Sequence, residues 1–174
     1  MAQAVSSRTE QERETLIARL KQSREIYLGT LKNVSDAAAK VRPKADAWSI
    51  LDVSEHMAIA ERQMLSLWMK LAQPGQADRA LDATIAATAR DRSRKLEAPE
   101  RSRPAGKMPS VSQAIEQFDF YRGQSIAYLE SELEDLRAKT VAHPIFGAID
   151  GYQLFLLMSC HAERHAQQIE ELKN

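Results

Sequence analysis

The sequence predicts an all-α fold, a four-helix bundle with up-down-down-up topology and a long crossover between helices two and three. Three observations predict it. Four segments repeat their apolar residues with a helical period, and no segment of useful length alternates with the period of a strand. Glycine and proline number only 6 each, and aromatic residues make up 6%. The middle connection is much longer than the other two. The length of 174 residues favours a single domain over residues 1–174.

The first two long helices are predicted to be antiparallel. The first runs from about Thr9 to Val34, with apolar residues three and four positions apart. The second begins at Ser49, which forms a box-like N-cap with Asp52, and it ends before Pro74. Only about 14 residues join the two helices, too few to run comfortably back along a helix of about 35 Å.

The connection from the second to the third long helix is long enough to cross the bundle. It contains a weaker predicted helix over residues 77–97 and a loop over residues 98–109, which holds three prolines and a glycine. The third long helix begins after Ser110, in cap spacing with Gln113, and its stripe extends to Leu136. Because about 37 residues separate the two helices, only this connection comfortably spans the bundle's length.

Three histidines lie on inward stripes, where leucine or methionine is expected. The fourth long helix follows a turn at residues 143–147, is capped by Asp150, and carries His161 and His165 one turn apart on one face. His56 lies on helix two, at a depth close to that of His165 if the helices are antiparallel. A single histidine on an apolar face is more often a hydrogen-bonded core residue than a ligand. Three at a compatible depth indicate a shared metal ion.

Composition excludes several classes of protein. The 24 basic residues balance the 24 acidic ones, which argues against a dedicated nucleic-acid-binding protein. The one cysteine cannot form an internal disulfide, and the N-terminus has no apolar signal core. The longest wholly apolar run, residues 154–158, is far shorter than a membrane span. We therefore expect a cytoplasmic protein without a nucleic-acid or membrane partner.

Three segments resemble motifs of the DinB-like, YfiT-type proteins. Residues 48–56, WSILDVSEH, resemble the Trp-Ser…Glu-His motif that opens that family's second helix. Residues 161–169, HAERHAQQI, resemble the HxxRHxxQI motif of its last helix, and the turn HPIFG at residues 143–147 is also similar. The motifs occur in matching order over nearly the whole chain. The resemblance implies an up-down-down-up bundle, often a homodimer, with a divalent-metal site formed by His56, His161 and His165.

The resemblance also implies a type of chemistry. The superfamily includes transferases and isomerases that use bacillithiol, mycothiol or glutathione, and proteins suspected to be hydrolases. Three neutral imidazoles leave a metal an open position, where it activates water or a thiol, and they suit Zn, Ni and Fe alike. We predict a metal-dependent hydrolase or thiol S-transferase acting on a small molecule, the latter with a low-molecular-weight thiol.

Two alternatives to an enzyme stay open. In the first, the metal mainly holds the helices together in a non-catalytic binding or stress-response module. In the second, the chain is an interaction bundle with buried histidines and no metal. An open metal position beside a cavity favours the enzyme, whereas a coordinatively closed and dry site favours a structural role.

Five residues near the proposed ligands have further interpretations. Glu163 and Gln168 are candidates to fix a histidine tautomer, although a solvated surface role is favoured for Glu163. Arg164 occupies a position of the family motif, and its structural interpretation is an ion pair with a neighbouring glutamate. Cys160 is interpreted as a packed small hydrophobe that points away from the histidine face. His143, in a loop near one mouth of the bundle, is expected to be exposed to solvent, which is favoured over a catalytic role.

Two acidic and basic features complete the prediction. Glu55 lies about 100° around the helix from His56, so it is not expected to bind the metal. The crossover is locally basic, and although it could attract an anionic cofactor or substrate, a solvated loop is favoured. Its basic residues are Arg90, Arg92, Arg94, Lys95, Arg101, Arg103 and Lys107.

Overall fold

The computed structural model of the chain describes residues 2–94, 96–131 and 134–173, with side chains from residue 8 onward. Its elements are α1 (Ala2–Leu31), α2 (Asp36–Ala39), α3 (Ile50–Leu71), β1 (Gln73–Pro74), α4 (Leu81–Arg90), a 3₁₀ helix (Glu100–Ser102), α5 (Val111–Ser131), β2 (Lys139–His143), β3 (Gly147–Asp150) and α6 (Gly151–Lys173). The long helices α1, α3, α5 and α6 form the bundle, which confirms the predicted fold class. Among the described helices, none combines the length and apolar character that crossing a membrane requires.

Two layers of apolar side chains fill the bundle and fix the direction of each helix. The first layer includes Leu20 of α1, Trp68 of α3, Leu129 of α5 and Leu154 of α6. The second layer includes Tyr27 of α1, Val53 of α3, Phe118 of α5 and Ala162 of α6. Along α1 and α6 the first layer comes before the second, whereas along α3 and α5 the order is reversed. This arrangement confirms the up-down-down-up topology.

The long crossover leads from the first layer to the second, because α3 ends in the first and α5 begins in the second. Within it, α4 packs on α6. The helix predicted over residues 77–97 is shorter in the structure, since an aspartate turn lies at each end. Asp78 accepts a hydrogen bond from the backbone of Ala80 at 2.9 Å, and Asp91 accepts one from the backbone of Ser93 at 2.8 Å.

A small three-stranded sheet accompanies the helices, although no segment of the sequence shows a strand period of useful length. β2 and β3 form an antiparallel hairpin that extends to the pair His143 and Gly147, and β1 adds to the free edge of β2. Gly147 has a φ of 73°, a left-handed conformation that glycine adopts without strain. Each hairpin strand supplies one buried apolar side chain, Val141 or Ile149, and a single such residue cannot display a period of two in the sequence.

The ends of two long helices differ from the prediction. α1 begins before Thr9 and ends before Val34, where Asn33 adopts a left-handed φ of 64° that stops the helix. The apolar stripe predicted for α5 ends with Leu133 and Leu136. Leu133 lies outside the described residues, and Leu136 is buried in a turn before β2. The apolar stripe therefore extends past the part of α5 that the structure describes as helical.

N-cap hydrogen bonds form between Ser49 and Asp52, Ser110 and Gln113, and Asp150 and Gln153. The sequence also spaces Ser7 with Glu10 and Thr9 with Glu12 as capping boxes, but this prediction is wrong because α1 already begins at Ala2. At the start of α3 the bonds are reciprocal. The Ser49 hydroxyl accepts the Asp52 amide at 3.1 Å, and the Asp52 carboxylate accepts the Ser49 amide at 2.8 Å. Because the cap fixes the first turn, it also fixes the direction of His56 in the next turn.

Between the two layers, Arg122 and Glu61 form a fully buried ion pair. Nε and Nη2 of Arg122 donate to the Glu61 carboxylate at 2.5 and 3.0 Å. Nη1 donates to the carbonyl of Leu20 at 3.1 Å and to Ser23 Oγ at 2.7 Å, and Nη2 also donates to the carbonyl of Met158 at 3.1 Å. All five N–H groups of the guanidinium are thus hydrogen-bonded, and the cluster joins the four long helices.

Candidate metal centre

His56, His161 and His165 converge where α3 faces α6. Nε2 of His161 lies 3.3 Å from Nε2 of His56 and 3.1 Å from Nε2 of His165. One ring nitrogen from each residue lies within 4.8 Å of those of the other two. The structure therefore brings together all three histidines that the sequence predicts to share an ion.

Hydrogen bonds on the opposite ring nitrogens fix two of the three tautomers. Nδ1 of His56 lies 2.7 Å from the carbonyl oxygen of Ser102, and Nδ1 of His165 lies 2.8 Å from Oε1 of Gln168. An oxygen of this kind only accepts, so each Nδ1 carries the proton and each Nε2 presents a lone pair. The hypothesis that Gln168 orients a histidine is confirmed.

The cluster leaves polar atoms unsatisfied in a way that fits a metal ion. The Nε2 lone pairs of His56 and His165 both face Nε2 of His161, which can place at most one proton between them. Nδ1 of His161 is buried and has no hydrogen-bond partner among the described residues. A cation between the rings would accept all three Nε2 lone pairs at once.

The spacing of the nitrogens fits such an ion as well. Two nitrogens on one tetrahedral zinc ion lie about 3.3–3.4 Å apart when the Zn–N bonds are about 2.0–2.1 Å. The separations of 3.1 and 3.3 Å between Nε2 atoms are close to this. In the described part of the chain, no carboxylate or cysteine joins the three histidines. Three protein ligands leave a position for water or a substrate.

Burial keeps these rings uncharged. His56 is 4% and His165 is 6% exposed. Burial lowers the pKa of His56 below its usual value. Burial, followed by the neighbouring imidazoles, lowers the pKa of His161 and of His165 much further. The neutral imidazole is the form that binds metal ions, so the site requires little deprotonation before an ion enters.

The segment that orients His56 is itself held by α3. The buried carboxylate of Glu55 accepts hydrogen bonds from the amides of residues 105–107 at 3.0–3.1 Å. On the other side of Ser102, the side-chain amide of Gln63 donates to the backbone carbonyl of Arg101 at 2.7 Å. These bonds fix the carbonyl that accepts from His56. Glu55 therefore contacts backbone amides rather than the three histidines.

A cavity of about 180 Å³ adjoins the histidine cluster, and all three histidines line it. Its other walls are mostly apolar and include Met64, Leu67, Leu96, Phe146 and Leu157. The site is therefore next to an opening with room for a small molecule, rather than enclosed by protein on every side.

His143 lies in the wall of this cavity, so the expectation of a solvent-exposed loop residue is wrong. It ends β2, it is half-buried, and its ring stacks on Phe146 with centroids 5.1 Å apart. The backbone amide of Ile145 donates to its Nδ1 at 3.3 Å. The β-hairpin, which the sequence did not predict, is what carries this histidine to the site.

The residues beside the ligands on α6 have structural contacts. Arg164 donates to the backbone carbonyls of Asp91 and Arg94, so the expected ion pair with a glutamate is wrong. Glu163 is half-buried and pairs with Arg90 instead of facing solvent alone. Both residues tie the crossover to α6. A backbone carbonyl gives no signal in the side-chain sequence, which is why the partner of Arg164 was not predicted.

Cys160 is buried, as expected, and burial raises the pKa of its thiol. It does not line the cavity. In the basic stretch, Arg90 pairs with Glu163 and Arg92 pairs with Glu171, so these residues join elements rather than form a purely solvated loop. Lys95 lies outside the described residues.

The fold and the site define a class of protein: an up-down-down-up helical bundle with a histidine on its second long helix and two on its last. A family model described as the DinB superfamily matches residues 19–169. The chain belongs to the DinB superfamily.

Two known proteins are similar to the chain. It is 29% identical over 146 residues to the uncharacterized protein YuaE of Bacillus subtilis (strain 168), covering 82% of this chain and 88% of that protein. Its fold is similar to that of YfiT from Bacillus subtilis, with a TM-score of 0.63 and 16% identity over 92% of this chain and 85% of that one. YfiT is described as "a probable metal-dependent hydrolase with an unusual four-helix bundle topology". At this identity the similarity shows the fold.

Proposed function

We propose that His56, His161 and His165 bind one divalent cation, Zn, Ni or Fe, and that the protein is a metal-dependent enzyme acting on a small molecule. The observation that carries the proposal is the cavity beside three convergent Nε2 atoms with no fourth protein ligand among the described residues. A purely structural metal site is coordinatively closed, whereas a catalytic site keeps an open position beside a space for substrate.

The chain's own residues prepare this site in three ways. Burial holds the imidazoles neutral, the acceptors Ser102 and Gln168 aim two of them, and the apolar wall limits water in the cavity. A bound cation would supply a Lewis acid that polarises a substrate carbonyl and activates a water or thiol.

Hydrolysis is the reaction type that the geometry supports best. The one cysteine of the chain, Cys160, is buried away from the cavity, so the protein supplies no thiol there. Water needs no such donor. A thiol S-transferase would require a low-molecular-weight thiol to enter the same cavity, and this is the second candidate. The description of YfiT as a probable metal-dependent hydrolase supports the first.

The first experiment measures metal content. Purified wild-type protein incubated with Zn, Ni and Fe should retain about one equivalent of one of them by elemental analysis. His161→Ala and His165→Ala should each retain none, because two imidazoles bind far more weakly than three. His143→Ala is the matched control and should retain the wild-type amount. Metal near zero in the wild type, or equal metal in all variants, contradicts the ligand assignment.

The second experiment separates an enzyme from a structural metal protein. Metal-loaded wild type and His161→Ala are compared on a panel of small chromogenic esters and amides, with and without glutathione-type thiols. We expect hydrolysis that depends on the metal and not on the thiol. Turnover only with a thiol favours the transferase. A stoichiometric metal with no turnover and no small-molecule binding in the cavity favours the non-catalytic alternative.

The homodimer, the cytoplasmic location and the single domain over residues 1–174 stay predictions. The dimer rests on the family resemblance and the location on cysteine usage. Sedimentation velocity of the metal-loaded protein tests the dimer, and a monomer at all concentrations would contradict it.

A further inference from the structure

The wall of the cavity includes two polar side chains, Arg101 and His143, that the proposed metal site does not use. Resting on the proposed function, we propose that Arg101 and His143 form an anion-recognition site, and that the substrate is a small apolar molecule carrying one carboxylate-type group. Both residues line the cavity, which also contacts the three histidines. A molecule in the cavity therefore reaches the proposed metal and these two side chains together.

The size and walls of the cavity define the apolar part of the substrate. A cavity of about 150 Å³ lined by apolar side chains is large enough to bind benzene. The present cavity, at about 180 Å³ with walls that include Met64, Leu67 and Leu157, fits a body of one ring or a chain of similar size. Apolar walls favour an uncharged body and leave recognition of a charge to a few polar groups.

Arg101 is the cation available for that charge. Three neighbouring arginines of the crossover are engaged: Arg90, Arg92 and Arg103 pair with Glu163, Glu171 and Glu97. Within the described residues, Arg101 has no such carboxylate partner. Its backbone is nevertheless anchored at the cavity wall, because Gln63 donates to its carbonyl at 2.7 Å. This bond fixes the backbone from which the Arg101 side chain extends, and a guanidinium matches the geometry of a carboxylate.

A carboxylate in the wall could compete with a substrate anion for Arg101, but it has an arginine partner of its own. Glu97 lines the cavity, and its Oε2 accepts a hydrogen bond from Nη2 of Arg103 at 3.3 Å. Arg164 also lines the cavity, but two of its nitrogens are occupied by backbone carbonyls. Within the described residues, Arg101 is therefore the arginine of this cavity wall whose guanidinium N–H groups have no protein acceptor.

His143 adds a hydrogen-bond donor of fixed identity. Its Nδ1 accepts from the amide of Ile145, so Nε2 carries the proton in the neutral ring. Arg101 and His143 line the same cavity, and burial, followed by the charge of Arg101, lowers the pKa of His143. Arg101 and His143 together offer one charged and one neutral donor to the oxygens of an anion.

The test compares benzoate with benzamide, two molecules of the same size of which only one is charged. Binding is followed by NMR titration, with the methyl signals of Met64 and Leu67 to locate each probe. Wild-type protein is titrated both zinc-loaded and metal-free. We expect benzoate to bind more tightly than benzamide in both forms and to shift these methyl signals.

Substitutions then assign the preference to residues. Arg101→Gln should weaken benzoate binding by about fivefold and leave benzamide unchanged, as expected for an exposed charge-assisted contact. Arg62→Gln, an exposed arginine of α3 outside the cavity, is the matched control and should change neither. His143→Phe keeps the aromatic ring beside Phe146 but loses the donor, and it should weaken benzoate by about two- to threefold.

Several outcomes would overturn the inference. These are equal binding of the two probes, a benzoate preference that survives in Arg101→Gln, or methyl signals of Met64 and Leu67 that do not move. A preference seen only with zinc would mean that benzoate binds the metal, and would also overturn it. If zinc fails to bind but metal-free protein prefers benzoate through Arg101, the proposed metal function fails while the anion site is supported.

Discussion

Two buried polar clusters lie on the apolar stripes of this bundle, and they differ in how they are satisfied. At Arg122 and Glu61, all five guanidinium N–H groups have acceptors and both carboxylate oxygens accept. At His56, His161 and His165, three Nε2 atoms converge, and only that of His161 can carry a proton. Nδ1 of His161 has no hydrogen-bond partner among the described residues. A complete cluster indicates a structural role, whereas an incomplete one indicates a ligand site.

The largest expected effect comes from breaking the complete cluster. Arg122→Ala leaves the Glu61 carboxylate buried without a partner, so the free energy of unfolding should fall by about 3–5 kcal/mol. Urea unfolding followed by circular dichroism measures this. Lys21→Ala, which removes an exposed ion pair with Glu130, should cost less than about 1 kcal/mol. Similar losses in both variants would show that the cluster is not the structural centre described above.

A smaller change in stability is expected when zinc binds the histidine cluster. Zinc at about a hundred times its Kd should raise the free energy of unfolding by about 2.7 kcal/mol, because it binds only the folded chain. Thermal unfolding with and without zinc measures the resulting rise in Tm. His161→Ala should lose the rise and His143→Ala should keep it. A zinc-dependent rise that persists in His161→Ala would place the ion elsewhere.

The smallest of the three effects tests how the crossover positions a ligand. Glu55→Gln replaces an acceptor of three backbone amides with a group that also donates, and so loosens the segment carrying the Ser102 carbonyl. Zinc affinity should fall by about 10–100-fold, as seen when groups that orient metal ligands are lost. Competition with a chromogenic chelator measures it.

The control for this prediction is Glu163→Gln, which makes the same change in charge on α6 beside the ligands. Glu163 pairs with Arg90 and has no bond to the three histidines, so its zinc affinity should stay near that of the wild type. Equal losses in the two variants would mean that net charge, and not the hydrogen bonds of Glu55, controls the affinity.

Local signals in the sequence predicted the parts of the structure that depend on neighbouring residues. The helical periods and the cap at Ser49 place His56, and the i, i+4 spacing places His161 beside His165. The hairpin was not predicted because its strands show too little alternation. The network of Arg122 was not predicted because two of its acceptors are backbone carbonyls from distant helices.

The position of His143 in the cavity wall could not be predicted for a related reason. Its surroundings depend on a hairpin and a crossover that meet only in the folded chain. The loop sequence around it indicates a turn but not what the turn faces. A sequence signal did exist in the HPIFG segment, which resembles the family, although a turn motif alone does not identify a cavity.

The direction of the four helices has a consequence for how such a protein can diversify. Two consecutive helices that run in the same direction require a connection as long as the bundle. A bundle joined only by tight loops contains no segment of that length. In this protein the long connection supplies the Ser102 carbonyl that accepts from His56, and it supplies Arg101 at the cavity wall. Changes along it could alter which molecules are accepted while the helices that hold the ion stay as they are.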